Sequence, residues 1–219
     1  MKIQDINFDG LTRNSMDAII ENSLEKAVNY DAYRTLVNHL AETGGTTGVV
    51  SDSNIKFTKL NDRRMKRWDK TLKIPVDIQK GIKKFSKNIT WLVIAESWCG
   101  DAAHIIPVLN KIAELNGNID LKLVLRDENP ELMDAYLTHG NRSIPKVIMI
   151  DNENGEVLHV YGPRPSIATD YVNRFIALYG KLTSEFKEDL QHWYNNDKGL
   201  TTLTDLLEIL CRIESSVCQ

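Results

Sequence analysis

The stretch Trp91-Leu-Val-Ile-Ala-Glu-Ser-Trp98-Cys99-Gly100-Asp101-Ala102-Ala103-His104 decides the fold of this chain. Residues 92–95 form an apolar, partly β-branched run that predicts a buried strand. From about residue 101 to 115, apolar residues recur at helical spacing, and Asp101 suits the first turn of a helix. Cys99 would then lie at a strand-to-helix turn, where unpaired backbone N–H groups favour a thiolate and lower its pKa. The pattern therefore predicts a reactive cysteine.

Two segments carry a resemblance to a known family. Trp98-Cys99-Gly100-Asp101-Ala102, after a buried strand, resembles the thioredoxin active-site motif Trp-Cys-Gly-Pro-Cys. Ser143-Ile144-Pro145-Lys146-Val147-Ile148-Met149-Ile150-Asp151 resembles the thioredoxin cis-proline and its following strand. The resemblance covers about residues 88–179, and Tyr161-Gly162-Pro163-Arg164-Pro165 is similar to an atypical branch of that family. It implies an α/β thioredoxin fold, a mixed central sheet flanked by helices, with appended N- and C-terminal helices.

The length, charge and cysteine content of the chain restrict the class of protein to which it can belong. Its 219 residues, 26% charged and with a net charge of -3, are typical of a soluble globular protein and indicate no particular partner. Three cysteines are too few for a disulfide scaffold. The five histidines are scattered without ligand spacing, and no phosphate-binding or dinucleotide fingerprint is present. We therefore expect neither a metal site nor a cofactor.

The chain divides into three predicted segments. Residues 1–87 form an N-terminal helical extension that packs on the core, residues 88–180 the thioredoxin-like domain, and residues 181–219 a C-terminal helical extension. We expect one compact unit, in which the C-terminal apolar stripes pack with the N-terminal helices; a homodimer interface is the competing use. Residues 42–48, rich in Gly and Thr, predict a mobile loop. Without a signal-peptide pattern or membrane span, we expect a cytoplasmic protein with no membrane partner.

Residues 56–87 are strongly basic, with twelve Lys and Arg against three Asp. The plainer interpretation is the solvated face of two amphipathic helices. The alternative is a patch for an anionic partner, such as nucleic acid or a phosphorylated or acidic small thiol. Because no interleaved aromatic residues or known reader motif accompany the charges, we expect no nucleic-acid partner.

The resemblance implies a monothiol site. Thioredoxins resolve a mixed disulfide with a second cysteine three positions after the first, and that position here is Ala102. The buried carboxylate that assists the resolving thiol in thioredoxins is replaced by Val93. Both departures exclude a direct copy of the dithiol mechanism.

The neighbours of Cys99 have predicted roles, each with a plainer alternative. Asp101 should oppose thiolate formation, and Arg142 is the nominated cation that pairs with Asp101 or with the thiolate; otherwise it is an exposed loop residue. Trp98 shields the sulfur and contacts substrate, or simply packs. The resemblance implies a cis bond at Ile144–Pro145, exposing a backbone edge for substrate binding; a trans strand-start proline is the alternative.

Three residues outside the motif and the cis-proline loop also have predicted roles. His104 is either an acid–base neighbour of the site or, more plainly, a partly exposed helix residue. Cys211 continues an apolar helix stripe and is predicted to be a small core residue. Cys218 is predicted to be mobile, either as an unpaired tail thiol or as a remote resolving thiol for Cys99.

Two functions follow from these features. The first is a monothiol redox protein that exchanges with protein or low-molecular-weight mixed disulfides through Cys99, so its partner is a disulfide-containing protein or a low-molecular-weight thiol. The second is a redox-inactive binding module that uses the cis-proline groove. A thiolate that reacts rapidly near neutral pH favours the first, and a pKa near that of a free thiol favours the second.

Overall fold

A four-stranded mixed sheet lies at the centre of the computed structural model, which describes residues 13–218. The strands are β1 (Ile89–Ala95), β2 (Ile119–Leu125), β3 (Lys146–Asp151) and β4 (Val157–Tyr161), in the order β2-β1-β3-β4. β1 pairs with β2 in parallel and with β3 antiparallel, and β4 is antiparallel to β3. All seven residues of β1 are buried, as expected for a continuous apolar run between two strands. The predicted α/β architecture is confirmed.

Helices cover the sheet and extend it at both ends of the chain. Before the sheet come α1 (Arg13–Lys26), α2 (Tyr30–Thr43), α3 (Asp52–Thr71) and α4 (Val76–Lys84). Within the sheet region lie α5 (Gly100–Leu115), the 3-10 turn Arg126–Glu128, α6 (Pro130–Ala135) and α7 (Ser166–Tyr179). After it come α8 (Ser184–Asp197), α9 (Leu200–Ile213) and the 3-10 turn Ser215–Cys218. α5 makes the crossover that a parallel β1–β2 pair requires.

The terminal helices pack on the central unit and on each other. One hydrophobic core contains residues from all three predicted segments. α4 and α9 approach so closely at Gly81 that a Cβ there would lie 2.6 Å from a methyl of Leu207. The Glu214 carboxylate accepts hydrogen bonds from the backbone N–H and the hydroxyl of Ser86, each at 2.8 Å. The boundaries after residues 87 and 180 stay a prediction.

The Gly- and Thr-rich segment between α2 and α3 contacts the turn after β1 through Thr47. Thr47 is buried, and its backbone N–H donates to Ser97 Oγ at 3.0 Å while its own Oγ1 accepts from the Ser97 backbone N–H at 2.9 Å. Gly48 has a φ of 63°, and a Cβ there would lie 2.3 Å from the Asp127 carboxylate. Long-range contacts therefore hold the end of this segment against the turn after β1, and the mobility of its remaining residues stays a prediction.

The described part of the chain contains neither a helix suited to cross a membrane nor a cluster of side chains suited to hold a metal ion. Between residues 13 and 218, no helix combines the length and the hydrophobicity needed to cross a bilayer. Among the same residues, no three side chains of His, Cys, Asp or Glu are grouped so that they could hold a metal ion.

Candidate functional site

Cys99 caps the N-terminus of α5, directly after the turn that follows β1. Its backbone N–H donates to the Glu96 carbonyl at 3.1 Å, which closes that turn, and the helix begins at Gly100. The strand-to-helix turn predicted from the sequence is therefore confirmed. The Cys99 thiol is 7% exposed, and its Sγ lies 3.3 Å from the Ile144 carbonyl, to which it donates. Backbone amides of Asp101 and Ala102 face the same sulfur.

The predicted low pKa of Cys99 is wrong. Burial, and after it the Asp101 carboxylate, raise the pKa of the thiol from 9.0 to about 12. The hydrogen bonds from the Ala102 and Asp101 amides and the guanidinium of Arg164 act in the opposite direction but do not compensate. The helix N-terminus favours the thiolate, but at this buried sulfur the cost of removing the charge from water is larger. The thiol is accordingly protonated at neutral pH.

The loop before β3 forms one wall around the sulfur. The Ile144–Pro145 bond is cis, as the resemblance implied, and both residues are buried. A second cis bond, Gly162–Pro163, lies directly against this loop and was not predicted. Gly162 has a φ of 104°, and a Cβ there would lie 2.3 Å from the Pro145 carbonyl oxygen. Only glycine fits a backbone approach this close. The role of Ile144 and Pro145 in substrate binding stays a prediction.

Asp101 is paired with Arg164, not with Arg142. Arg164 Nε lies 2.8 Å from Asp101 Oδ2, and the Tyr194 hydroxyl donates to Asp101 Oδ1 at 2.9 Å. Arg142 instead donates through Nε to Asp134 at 2.6 Å, on the exposed surface. The nomination of Arg142 is therefore wrong. The cation that pairs with Asp101 is Arg164, which belongs to the Tyr161–Pro165 motif. The sequence pattern singled out this motif, but it did not predict that the arginine reaches α5.

The Asp101–Arg164 pair links two walls of the site. Asp101 lies in the first turn of α5, and Arg164 follows the segment that packs on the cis-proline loop. Burial raises the pKa of Asp101, whereas Arg164 and Tyr194 lower it. Because both partners are largely shielded from solvent, the pair is expected to be less screened than a surface ion pair.

His104 is a buried structural residue rather than a partly exposed one. Its Nδ1 accepts a hydrogen bond from Trp68 Nε1 at 2.9 Å, so its Nε2 carries the proton and donates to Gln191 at 2.9 Å. The ring stacks on Tyr194 at 4.4 Å. Burial lowers the pKa of His104 to about 3, so the ring is neutral. His104 thereby joins α3, α5 and α8 beside the first turn of α5.

The turn before Cys99 is anchored by residues that the sequence did not single out. Thr58 forms a 2.8 Å hydrogen bond with the Ser97 hydroxyl, and Asn61 donates to the Ser97 carbonyl at 2.9 Å. Glu96 is fully buried: one carboxylate oxygen accepts from the Asp127 amide at 2.9 Å, and the other has no partner in the described part of the chain. Burial raises the pKa of Glu96. Nothing in the local pattern distinguishes these residues from ordinary polar ones.

The other predicted neighbours lie close to the motif. Trp98 is half-buried, and the Arg126 guanidinium lies over its ring at 4.9 Å. Gly100 faces α3 and α8, since a Cβ there would lie 3.5 Å from both Arg64 and Gln191. Ala102 is buried in α5. Whether Trp98 contacts substrate or only packs stays open.

Cys218 is not available to Cys99. It forms a disulfide with Cys211, with their Cα atoms 5.5 Å apart. The predictions of a remote resolving thiol and of an unpaired tail thiol are therefore wrong. Cys211 packs against the core as predicted, but as half of a disulfide. Cys99 is the one free cysteine of the three. With Ala102 in place of a second cysteine, the motif offers one sulfur.

Comparison with known proteins supports the fold and identifies the family. No curated protein matches the chain. A structure of a protein of unknown function, PA1234 from Pseudomonas aeruginosa, is 15% identical, with a TM-score of 0.55 over 91% of this chain and 97% of that one. The structure of an HIV epitope scaffold is 16% identical, with a TM-score of 0.52 over 91% and 98%. The family model Thioredoxin_9, described as thioredoxin, matches residues 50–194. The chain therefore belongs to this thioredoxin-like family.

Proposed function

We propose that the chain exchanges with disulfides through Cys99 as a single nucleophile. One observation carries the proposal: the single free sulfur lies at the start of α5, faces the amides of Asp101 and Ala102, and contacts the carbonyl before cis-Pro145. An inert core cysteine needs none of these groups. Two amides and the Arg164 guanidinium are suited to stabilise the negative charge of an attacking or departing sulfur.

The exchange proceeds in two balanced steps. The Cys99 thiol loses its proton to solvent, and its thiolate attacks one sulfur of a substrate disulfide, whose S–S bond breaks. The second substrate sulfur leaves as a thiolate and takes up a proton. A thiol from solution then attacks the mixed disulfide at the sulfur of the retained substrate half and releases Cys99. The substrate class is a disulfide-containing protein or a mixed disulfide of a low-molecular-weight thiol.

The raised pKa of Cys99 sets the condition under which this exchange operates. The free protein holds the thiol protonated, so attack is slow at neutral pH unless the charge around the sulfur changes. Asp101 is the charged group that opposes ionisation, and Arg164 is the one that supports it. A substrate that draws Asp101 away from the sulfur, or adds a donor near it, increases the thiolate fraction.

A second candidate function is a binding module without redox chemistry. It is favoured by the burial of Cys99 and the direction of its pKa shift, which leave the thiol as a hydrogen-bond donor to Ile144. In this alternative, the loop at cis-Pro145 holds a partner and Cys99 only supports the loop.

Turnover of a glutathionylated peptide in the presence of excess thiol separates the two candidates. We expect the wild type to accelerate peptide release and the Cys99→Ser variant to fall to the uncatalysed rate. A variant that removes the other pair, Cys211→Ser with Cys218→Ser, should retain the activity. Equal rates for the wild type and Cys99→Ser would exclude exchange on this substrate class and favour the module.

A further inference from the structure

A groove of about 520 Å³ lies between α3 and α8, separate from the cis-proline side of the motif. α3 contributes Arg63, Arg64 and Arg67, and α8 contributes Gln191, His192 and Asn195. One carboxylate, Glu188, also lines it. The volume lies within the range of about 300–1,000 Å³ that is typical of small-molecule sites. The groove therefore combines an excess of positive charge with a size suited to a small ligand.

The three arginines of the groove lie outside the ion pairs of residues 13–218. In the part of the chain that the structure describes, none of them forms an ion pair. Arg64 donates to Asn61 at 2.9 Å, and Arg67 donates to Asn195. Burial, and then the charge of Arg67, lower the pKa of Arg64, whereas the more distant Asp101 carboxylate raises it. Arg64 is partly buried between two exposed arginines one helical turn or less away, and like charges at this spacing destabilise the free protein.

A second groove beside α3 contains an arginine whose charge is neutralised by neighbouring carboxylates. That groove, of about 440 Å³, contains Arg34, whose guanidinium contacts Asp62 at 3.4 Å and Asp69 at 3.1 Å. Its cationic charge is thus neutralised within the fold. The arginines between α3 and α8 form no such ion pairs among the described residues, so their guanidinium groups are free to bind an anion from outside the chain.

The groove adjoins the thioredoxin-like motif without containing its sulfur. Gly100 lies beside Arg64 and Gln191, so the side chains that line the groove also border the start of α5. Asn61 connects the two places, because it accepts from Arg64 and donates to the Ser97 carbonyl before the motif.

We propose that this groove binds a small, multiply charged anion that carries phosphate or carboxylate groups. Guanidinium groups bind both by paired, charge-assisted hydrogen bonds. Arg64 is the central contact, Arg63 and Arg67 flank the anion, and Gln191 and Asn195 supply neutral hydrogen bonds. This binding does not depend on the redox chemistry of Cys99.

Calorimetric titration with inorganic pyrophosphate and, separately, with citrate tests the proposal. We expect saturable one-to-one binding of at least one anion, and the preferred one identifies phosphate or carboxylate as the recognised group. Arg64→Gln should weaken binding by about tenfold or more, without lowering the free energy of unfolding, because it removes a desolvated charge. Arg67→Gln provides a second variant should Arg64→Gln fold poorly.

The matched control is Arg174→Gln, which removes one exposed arginine on α7 and should leave the affinity unchanged. No binding of either anion to the wild type would overturn the proposal. Equal losses in Arg64→Gln and Arg174→Gln would do the same, since they would show attraction to net charge rather than to the groove.

Discussion

Replacing Asp101 by Asn should make Cys99 more reactive. The carboxylate is the largest cause, after burial, of the raised pKa of the thiol. Asn keeps the shape of the side chain and can still accept the hydrogen bond from Tyr194, which donates at 2.9 Å in the wild type. The substitution also releases the Arg164 guanidinium from its ion pair, so that its charge acts on the sulfur alone.

The size of the effect follows from the thiolate fraction. At pH 8, a thiol with a pKa of 9.0 is about one-tenth ionised, whereas a pKa of about 12 leaves about 1 thiol in 10,000 as thiolate. The surroundings of Cys99 therefore suppress the thiolate about a thousandfold. One neighbouring charge commonly changes a pKa by about 1 or more. We expect Asp101→Asn to recover about tenfold in rate at fixed pH.

The assay is the second-order rate of alkylation by iodoacetamide between pH 6 and pH 11. Cys99→Ser supplies the blank, and the Cys211–Cys218 disulfide keeps the other sulfurs out of the reaction. The two possible causes differ in the pH at which the rate levels off: a lowered pKa moves this point to lower pH, whereas wider access raises the rate and leaves the point unchanged. Asp134→Asn is the matched control, because it removes an arginine-paired carboxylate that has no part in the Cys99 environment. An unchanged or slower rate in Asp101→Asn would refute the electrostatic reasoning.

Three other predictions concern the surroundings of the site. Arg142→Ala should leave the pH profile of Cys99 alkylation unchanged, since Arg142 contacts Asp134; a shift of that profile would restore Arg142 to the site. The pKa of His104 is lowered from 6.5 to about 3, so between these two pH values the unfolded chain binds a proton that the folded protein does not. Lowering the pH from about 6.5 to about 3 therefore reduces the free energy of unfolding, by up to about 1.4 kcal/mol per pH unit. A histidine signal from His104 that titrates near pH 6.5 in NMR spectra would contradict this. Reducing the Cys211–Cys218 disulfide, which spans 7 positions, should lower the free energy of unfolding by about 2 kcal/mol in urea titrations with and without reductant; identical midpoints would count against the pairing.

The fold was predictable because its signals are local. The apolar run of β1 and the helical pattern after Cys99 each belong to one element, and each appears in the structure where the periodicity placed it. The cis bond at Pro145 followed from the resemblance, because the segment around it matches a motif with a known geometry.

The electrostatics of the site were not predictable in the same way. The pKa of Cys99 depends on how far the surrounding walls exclude water, which no short motif encodes. The choice of Arg164 over Arg142 depends on which loop crosses to α5, and both arginines lie close to a proline in the sequence. The burial of His104 depends on α3 and α8, which lie 36 and 87 residues from it at Trp68 and Gln191. These features arise from tertiary packing between distant segments.

Intact-mass spectrometry of the native protein with dithiodipyridine tests the central claim most directly, that Cys99 is a single exchanging sulfur. The account predicts one mixed-disulfide adduct at Cys99, faster formation as pH rises, complete removal by added thiol, and no adduct in Cys99→Ser. A native protein that stays unmodified at every pH tested, while the denatured chain takes up one adduct, would contradict this account.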